Sequence, residues 1–166
     1  MHSSLRQRNY SHTNREKMID GVKITPLLQI HDERGSVMHM LKATDPVFNE
    51  FGEIYFSGVY PDVVKAWHIH SRMILNYAVP IGKIKFVLYD ERPDSPTCGE
   101  VQELFLGSEN YCLVTVPPNV WNGFKGIGTE MALVANCASI PHDPSEISRL
   151  DPADNHIPYD WALKHK

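Results

Sequence analysis

The chain has 166 residues, 42% of them apolar and 22% charged, and its 16 basic against 20 acidic side chains give a net charge of −4. That is enough apolar material for the core of one domain, and too little positive charge for a protein that binds nucleic acid by neutralising phosphates. No apolar run approaches the roughly 18 residues of a membrane span and no apolar leader opens the chain. Cys98, Cys112 and Cys137 show no CxxC spacing, so a reduced, cytoplasmic protein is expected.

Residues 1–17 hold four basic side chains against one acid and little bulky apolar surface. They read as a disordered basic extension, because such a segment cannot offset its own ordering entropy. Residues 18–166 read as a single folded domain.

From Met18 onward, short runs rich in β-branched and aromatic residues alternate with turn signals. Strands are predicted near Val22–Leu28, Gly35–Leu41, Phe51–Val59, Val64–His70, Leu75–Pro80, Gly82–Tyr89, Val101–Leu106, Tyr111–Val116, Trp121–Lys125 and Glu130–Asn136. Strands recurring at intervals of roughly 10 residues, without helical periodicity, define an all-β sandwich or barrel. The segment 141–166 contains four prolines; it is expected to wrap the outside and end in a short helical turn.

The strand Val64–His70 carries two imidazoles. Strict alternation would place Ala66, His68 and His70 on one face and Lys65, Trp67 and Ile69 on the other. Two imidazoles so placed can converge on one ligand, and neutral imidazole is a common general base; equally, one could be a core residue and the other exposed. His-x-His on a strand also raises a metal-binding reading. However, no acid follows His70 within five residues and Asn122 stands where a later ligand is expected, so the first shell is incomplete and no metal is expected.

Five segments together resemble the dTDP-4-dehydrorhamnose 3,5-epimerase family. Asp32-Glu33-Arg34-Gly35 resembles its DxRG, and Lys65-Ala66-Trp67-His68 its Arg-Gly-Leu-His strand. Asp94–Glu100 contains its SPTxG turn, Pro117–Phe124 parallels its PPGFAHGF, and Asp154–Trp161 resembles its closing DPxxxIDW. Their order and spacing agree across roughly residues 20–161.

The resemblance implies a double-stranded β-helix, or cupin-like jelly roll, in a homodimer whose subunits exchange N-terminal strands. It implies no cofactor, and a reaction in which a proton is removed beside the 4-keto group of a nucleotide-linked sugar and returned on the opposite face. The catalytic base then falls on His68, with Asp154 as its carboxylate partner and Asp151 as the alternative.

Departures from the family pattern bear on the mechanism. The family's acid tyrosine falls on Leu133, a second tyrosine on Ala138, and a histidine on Asn122. Leucine cannot donate a proton, so Tyr55 or Tyr77 would have to supply the phenol. Lys65 replaces an arginine and keeps the charge without the bidentate fork. Arg34, Lys65 and Arg72 are the candidate cations for a diphosphate, while His70, Asn122 or Lys65 could face an enolate oxygen. The expected function is therefore an epimerase or isomerase of a keto-sugar, in polysaccharide or deoxysugar biosynthesis. The alternatives are a sugar-binding cupin without catalysis and a metal-dependent cupin enzyme.

Overall fold

The computed structural model describes residues 18–162. Twelve strands form it: β1 (Lys23–Pro26), β2 (Gln29–Asp32), β3 (Gly35–Met38), β4 (Glu53–Val59), β5 (Val64–His70), β6 (Leu75–Ile81), β7 (Lys83–Tyr89), β8 (Val101–Gly107), β9 (Cys112–Val116), β10 (Trp121–Ile127), β11 (Ala132–Ala138) and β12 (Ile147–Arg149). Two five-stranded sheets, ordered β1-β9-β6-β11-β4 and β12-β5-β10-β7-β8, face each other, while β2 and β3 make a separate hairpin. Every strand pair is antiparallel, and the result is the double-stranded β-helix that the sequence implied.

Alternation along the strands builds the core between the sheets. Ile84, Phe86 and Leu88 of β7 point inward to meet Leu75, Tyr77 and Val79 of β6, Val114 and Val116 of β9, and Val134 of β11. β7 is buried on its outer face too. There Val87 joins Trp67, Trp121, Ile157 and Trp161 in a second cluster, because the C-terminal segment lies over that sheet.

That segment wraps the outside as expected, but it is not helical among the described residues. Pro152 and Pro158 break any helical run. Local caps satisfy the backbone instead: Asp151 Oδ1 accepts from the amides of Ala153 and Asp154 at 2.8 and 3.1 Å, Asn155 Oδ1 from Ile157 at 2.7 Å, and Asp160 Oδ1 from Ala162 at 2.9 Å. Residues 1–17, read as a basic extension, lie outside the described residues. No described helix is long and apolar enough to cross a membrane.

Strict alternation fails at one place in β5. His68 pairs with Asn122 and Lys65 with Phe124, so Ala66 and Trp67 together oppose the single residue Gly123. This bulge reverses the parity between Lys65 and His68. Lys65 therefore shares the inner face with His68, contrary to the alternation expected from sequence, and Trp67 turns out to the tail. Gly123 is required at this crossing, since a Cβ there would stand 2.3 Å from that of Ala66.

Candidate active site

The inner faces of β4, β5 and β6, with β12 at the rim, enclose two adjoining cavities that share Tyr55, His68 and Arg149. One, of about 300 Å³, is also lined by Ser57, Lys65, Tyr77 and Phe124. The other, of about 440 Å³, is also lined by Glu53, His70, Met73 and His142. Lys65 enters the first through the β5 bulge, and its Nζ donates to Ser57 Oγ at 2.9 Å.

His68 is at the centre. Its Nε2 stands 3.2 Å from the hydroxyl of Tyr77. Burial holds the imidazole neutral by pushing its pKa down to about 3, with His70 and Arg149 acting in the same direction and the Asn122 side chain opposing them. Asn122, fully buried opposite His68, donates Nδ2–H to the His68 and Val120 carbonyls at 3.3 Å each, while its Oδ1 has no hydrogen-bond partner among the described residues.

Two phenols line the cleft with His68. Tyr77 and Tyr55 both lie opposite Asn136, on β6 and β4, so the three side chains form one row across the sheet. Asn136 Nδ2 donates to the Tyr55 hydroxyl at 2.9 Å. Burial, with Tyr55 beside it, raises the Tyr77 phenol well above its ordinary range. The row supplies hydroxyls to the cleft although Leu133 cannot.

The carboxylate expected on His68 is found on the other imidazole. Asp154 is exposed on the tail, where its amide caps on Asp151, and Asp151 is exposed as well. Neither hydrogen-bonds to His68; the tail turns that the aspartates cap hold them at the surface. It is His70 that carries a carboxylate: Glu146 Oε1 accepts from His70 Nδ1, and Glu146 Oε2 accepts from the amides of Arg72 and Met73 at 3.1 and 3.3 Å. His70 and Glu146 are each only 5% exposed. Burial pulls the Glu146 carboxyl upward, but the bonds from His70 and the two amides prevail and hold it below its ordinary value.

Of the remaining predicted residues, His70, Lys65 and Tyr55 line the cleft, whereas Arg34 and Arg72 do not. Arg34 pairs with Asp32 at 2.5 Å on the β2–β3 hairpin, its side chain 87% exposed. Arg72 reaches Asp143 at 3.0 Å on the surface, and only its amide serves the cleft. Glu146 and Arg149 escaped the sequence reading. Both come with β12, a three-residue strand whose pairing sets Arg149 opposite His68 and Ile147 opposite His70. An Ile-x-Arg alternation just after an acid was the available signal, and the surrounding prolines obscured it. Among the described residues, no three His, Cys, Asp or Glu side chains converge as a metal-binding group.

A jelly roll whose inner face joins an imidazole, two phenols and cations in one cleft belongs to the cupin-fold sugar epimerases. Residues 16–166 match the dTDP-4-dehydrorhamnose 3,5-epimerase family, and the chain belongs to it. It is 47% identical to a dTDP sugar isomerase from Desulfovibrio desulfuricans G20, with a TM-score of 0.86 over 89% of this chain and 94% of that one. The probable low-salt glycan biosynthesis epimerase Agl13 of Haloferax volcanii is 35% identical over 86% of this chain and 89% of its own length. A dTDP-6-deoxy-D-glucose-3,5-epimerase from Legionella pneumophila Philadelphia 1, solved in complex with dTDP-4-keto-L-rhamnose, is 25% identical with a TM-score of 0.75, over 90% of this chain and 82% of that one.

Proposed function

We propose that the protein epimerises a nucleotide-linked 4-keto sugar, with His68 as the base that removes the proton beside the carbonyl. The observation that carries this reading is the cleft-lining imidazole of His68, 3.2 Å from the Tyr77 hydroxyl, inside an epimerase fold. The C–H bond breaks, its electron pair becomes the enolate, and an N–H bond forms on the ring. Tyr55, on the opposite sheet and lining both cavities, returns a proton to the carbon from the other side. Solvent then reprotonates its phenolate and takes the proton from His68, and in this way Tyr55 replaces the phenol absent at Leu133. Lys65 and Arg149 are the cations that meet the diphosphate.

The Legionella relative's bound dTDP-sugar supports a nucleotide-sugar substrate. The Haloferax relative supports a place in glycan biosynthesis. The three free thiols suit the reducing cytoplasm. A homodimer is favoured by the apolar Ile54 and Phe56, 50% and 61% exposed on the outer face of edge strand β4, and by Ile30 and Val37 exposed on the hairpin. Exchange of that hairpin is how Arg34 would reach a cleft.

The test is deuterium uptake from solvent into a panel of 4-keto nucleotide sugars, followed by proton NMR. Uptake beside the carbonyl is expected with at least one dTDP-linked member. Tight binding with no uptake into any member would instead identify a sugar-binding module.

A further inference from the structure

The cleft contains two imidazoles whose surroundings differ in kind. The rings of His68 and His70 lie edge to face, with centroids 5.8 Å apart. The His68 ring meets the Tyr77 hydroxyl; the His70 ring meets a buried carboxylate. At this separation two positive rings repel strongly, so a charge on the His68 ring forms only together with the enolate that offsets it. Of the two rings, it is that of His70 that meets a carboxylate.

Glu146 can act only as an acceptor here. Both its oxygens are engaged, one by the His70 ring and the other by two backbone amides, so the Nδ1 of His70 keeps its proton. His70 also lines the larger cavity, which leaves Nε2 as the nitrogen available to a ligand. The other ionisable groups around that cavity are Glu53, Tyr55, His142 and Arg149. Unlike the His70–Glu146 pair, Arg149 and His142 are exposed to solvent.

From this juxtaposition we infer that the two histidines divide the reaction between them: His68 is the base, and His70, oriented by Glu146 on its Nδ1, is the catalytic electrophile that donates Nε2–H to the keto oxygen as it becomes an enolate. Glu146 is the positioning residue. The inference rests on the keto-sugar reading above and deepens it. Proton bookkeeping closes: His70 lends a hydrogen bond and keeps its proton, while the proton lost by carbon goes to His68. A buried, preorganised donor of this kind is worth about 10²–10³ in kcat.

Two measurements test the assignment. The first is imidazole 15N NMR of the unliganded protein at pH 6. It should show His70 doubly protonated and His68 neutral, with the His70 signature lost in Glu146→Gln and regained in Glu146→Asp. A charged His68, or a neutral His70, overturns the assignment whether or not the substrate class has been correctly identified. The second is steady-state kinetics on whichever 4-keto nucleotide sugar exchanges: His70→Asn should lower kcat by about 10²–10³ with KM changed less than threefold, and Glu146→Gln should lower kcat at least about tenfold. Unchanged kcat in His70→Asn overturns the electrophile role, whereas absence of exchange in the wild-type protein rejects the substrate reading and leaves the NMR result to decide the charge assignment.

Discussion

The Nε2 of His68 and the hydroxyl of Tyr77 meet at 3.2 Å, joining an imidazole on one sheet to a phenol on the sheet that faces it. The contact fixes the imidazole plane, and the Asn136 row ties Tyr77 sideways to Tyr55. The chemistry of the cleft therefore depends on a chain of groups that crosses the interior.

Tyr55 and Tyr77 should separate in function. Removing the acid blocks inversion but leaves the base able to exchange its proton with solvent. Tyr55→Phe should therefore cut epimerisation by about 10²–10⁴ while deuterium uptake at the carbon persists. Tyr77→Phe, which loses the hydroxyl's contacts with His68 and Tyr55, should lower both rates together by roughly tenfold. Paired exchange and epimerisation assays distinguish the two patterns.

Acid should act through His68. Its folded pKa, near 3, lies below the unfolded value of about 6.5. Between those two values the unfolded chain binds a proton that the folded site excludes, so stability is present above about pH 6.5 and is lost as the pH falls toward 3. Replacing His68 with Gln removes this linkage. The melting temperature of the variant should drop less than that of the parent between pH 7 and pH 4.5.

Asp90 shows that a family motif can be structural. Fully buried, it accepts from Arg92 Nε at 2.8 Å, Ser95 Oγ at 2.6 Å and Thr97 Oγ1 at 2.7 Å, closing the turn that carries the SPT segment. Burial pulls its carboxyl upward, but these donors prevail and keep it far below the ordinary range. Asp90→Ala leaves Arg92 and two hydroxyls without their acceptor. It should cost about 3–5 kcal/mol by urea unfolding, with KM unchanged in the surviving folded protein.

The C-terminal aromatic clamp should support the site from behind. Trp161 packs on Trp67 with ring centroids 5.1 Å apart and on Tyr159 at 5.0 Å, and Trp67 is the residue before His68. Lys85 Nζ lies 5.3 Å from the Tyr159 ring and 5.8 Å from that of Trp161. Trp161→Ala should destabilise the fold by about 3–5 kcal/mol. Because it loosens the back of β5, kcat should also fall; urea melts and steady-state rates report the two effects.

Most of the architecture could be read from the chain because its turns are written in Gly, Pro, Asn and Asp, and ten of the strands fall where those signals place them. β2 was missed because Gln29-Ile30-His31-Asp32 has no β-branched run, and β12 because prolines and charges surround it. The cleft was only half legible. Strand pattern offered His68 and His70, and the family resemblance, short of its tyrosine, offered Tyr55 or Tyr77. The parity of Lys65, however, depends on a bulge set by Gly123 on another strand, and Glu146 lies 76 residues from the ring it holds. The aspartate matched to the family's partner position is capped into a surface turn, an outcome that side-chain competition for backbone amides decides and a motif does not reveal.

The base role proposed for His68 is tested by incubating His68→Asn with a 4-keto nucleotide sugar that the wild-type protein labels, in deuterium oxide, and following the carbon beside the carbonyl by NMR. Uptake should fall to the rate of the sugar alone while the nucleotide sugar still binds; uptake at the parental rate would contradict the base role.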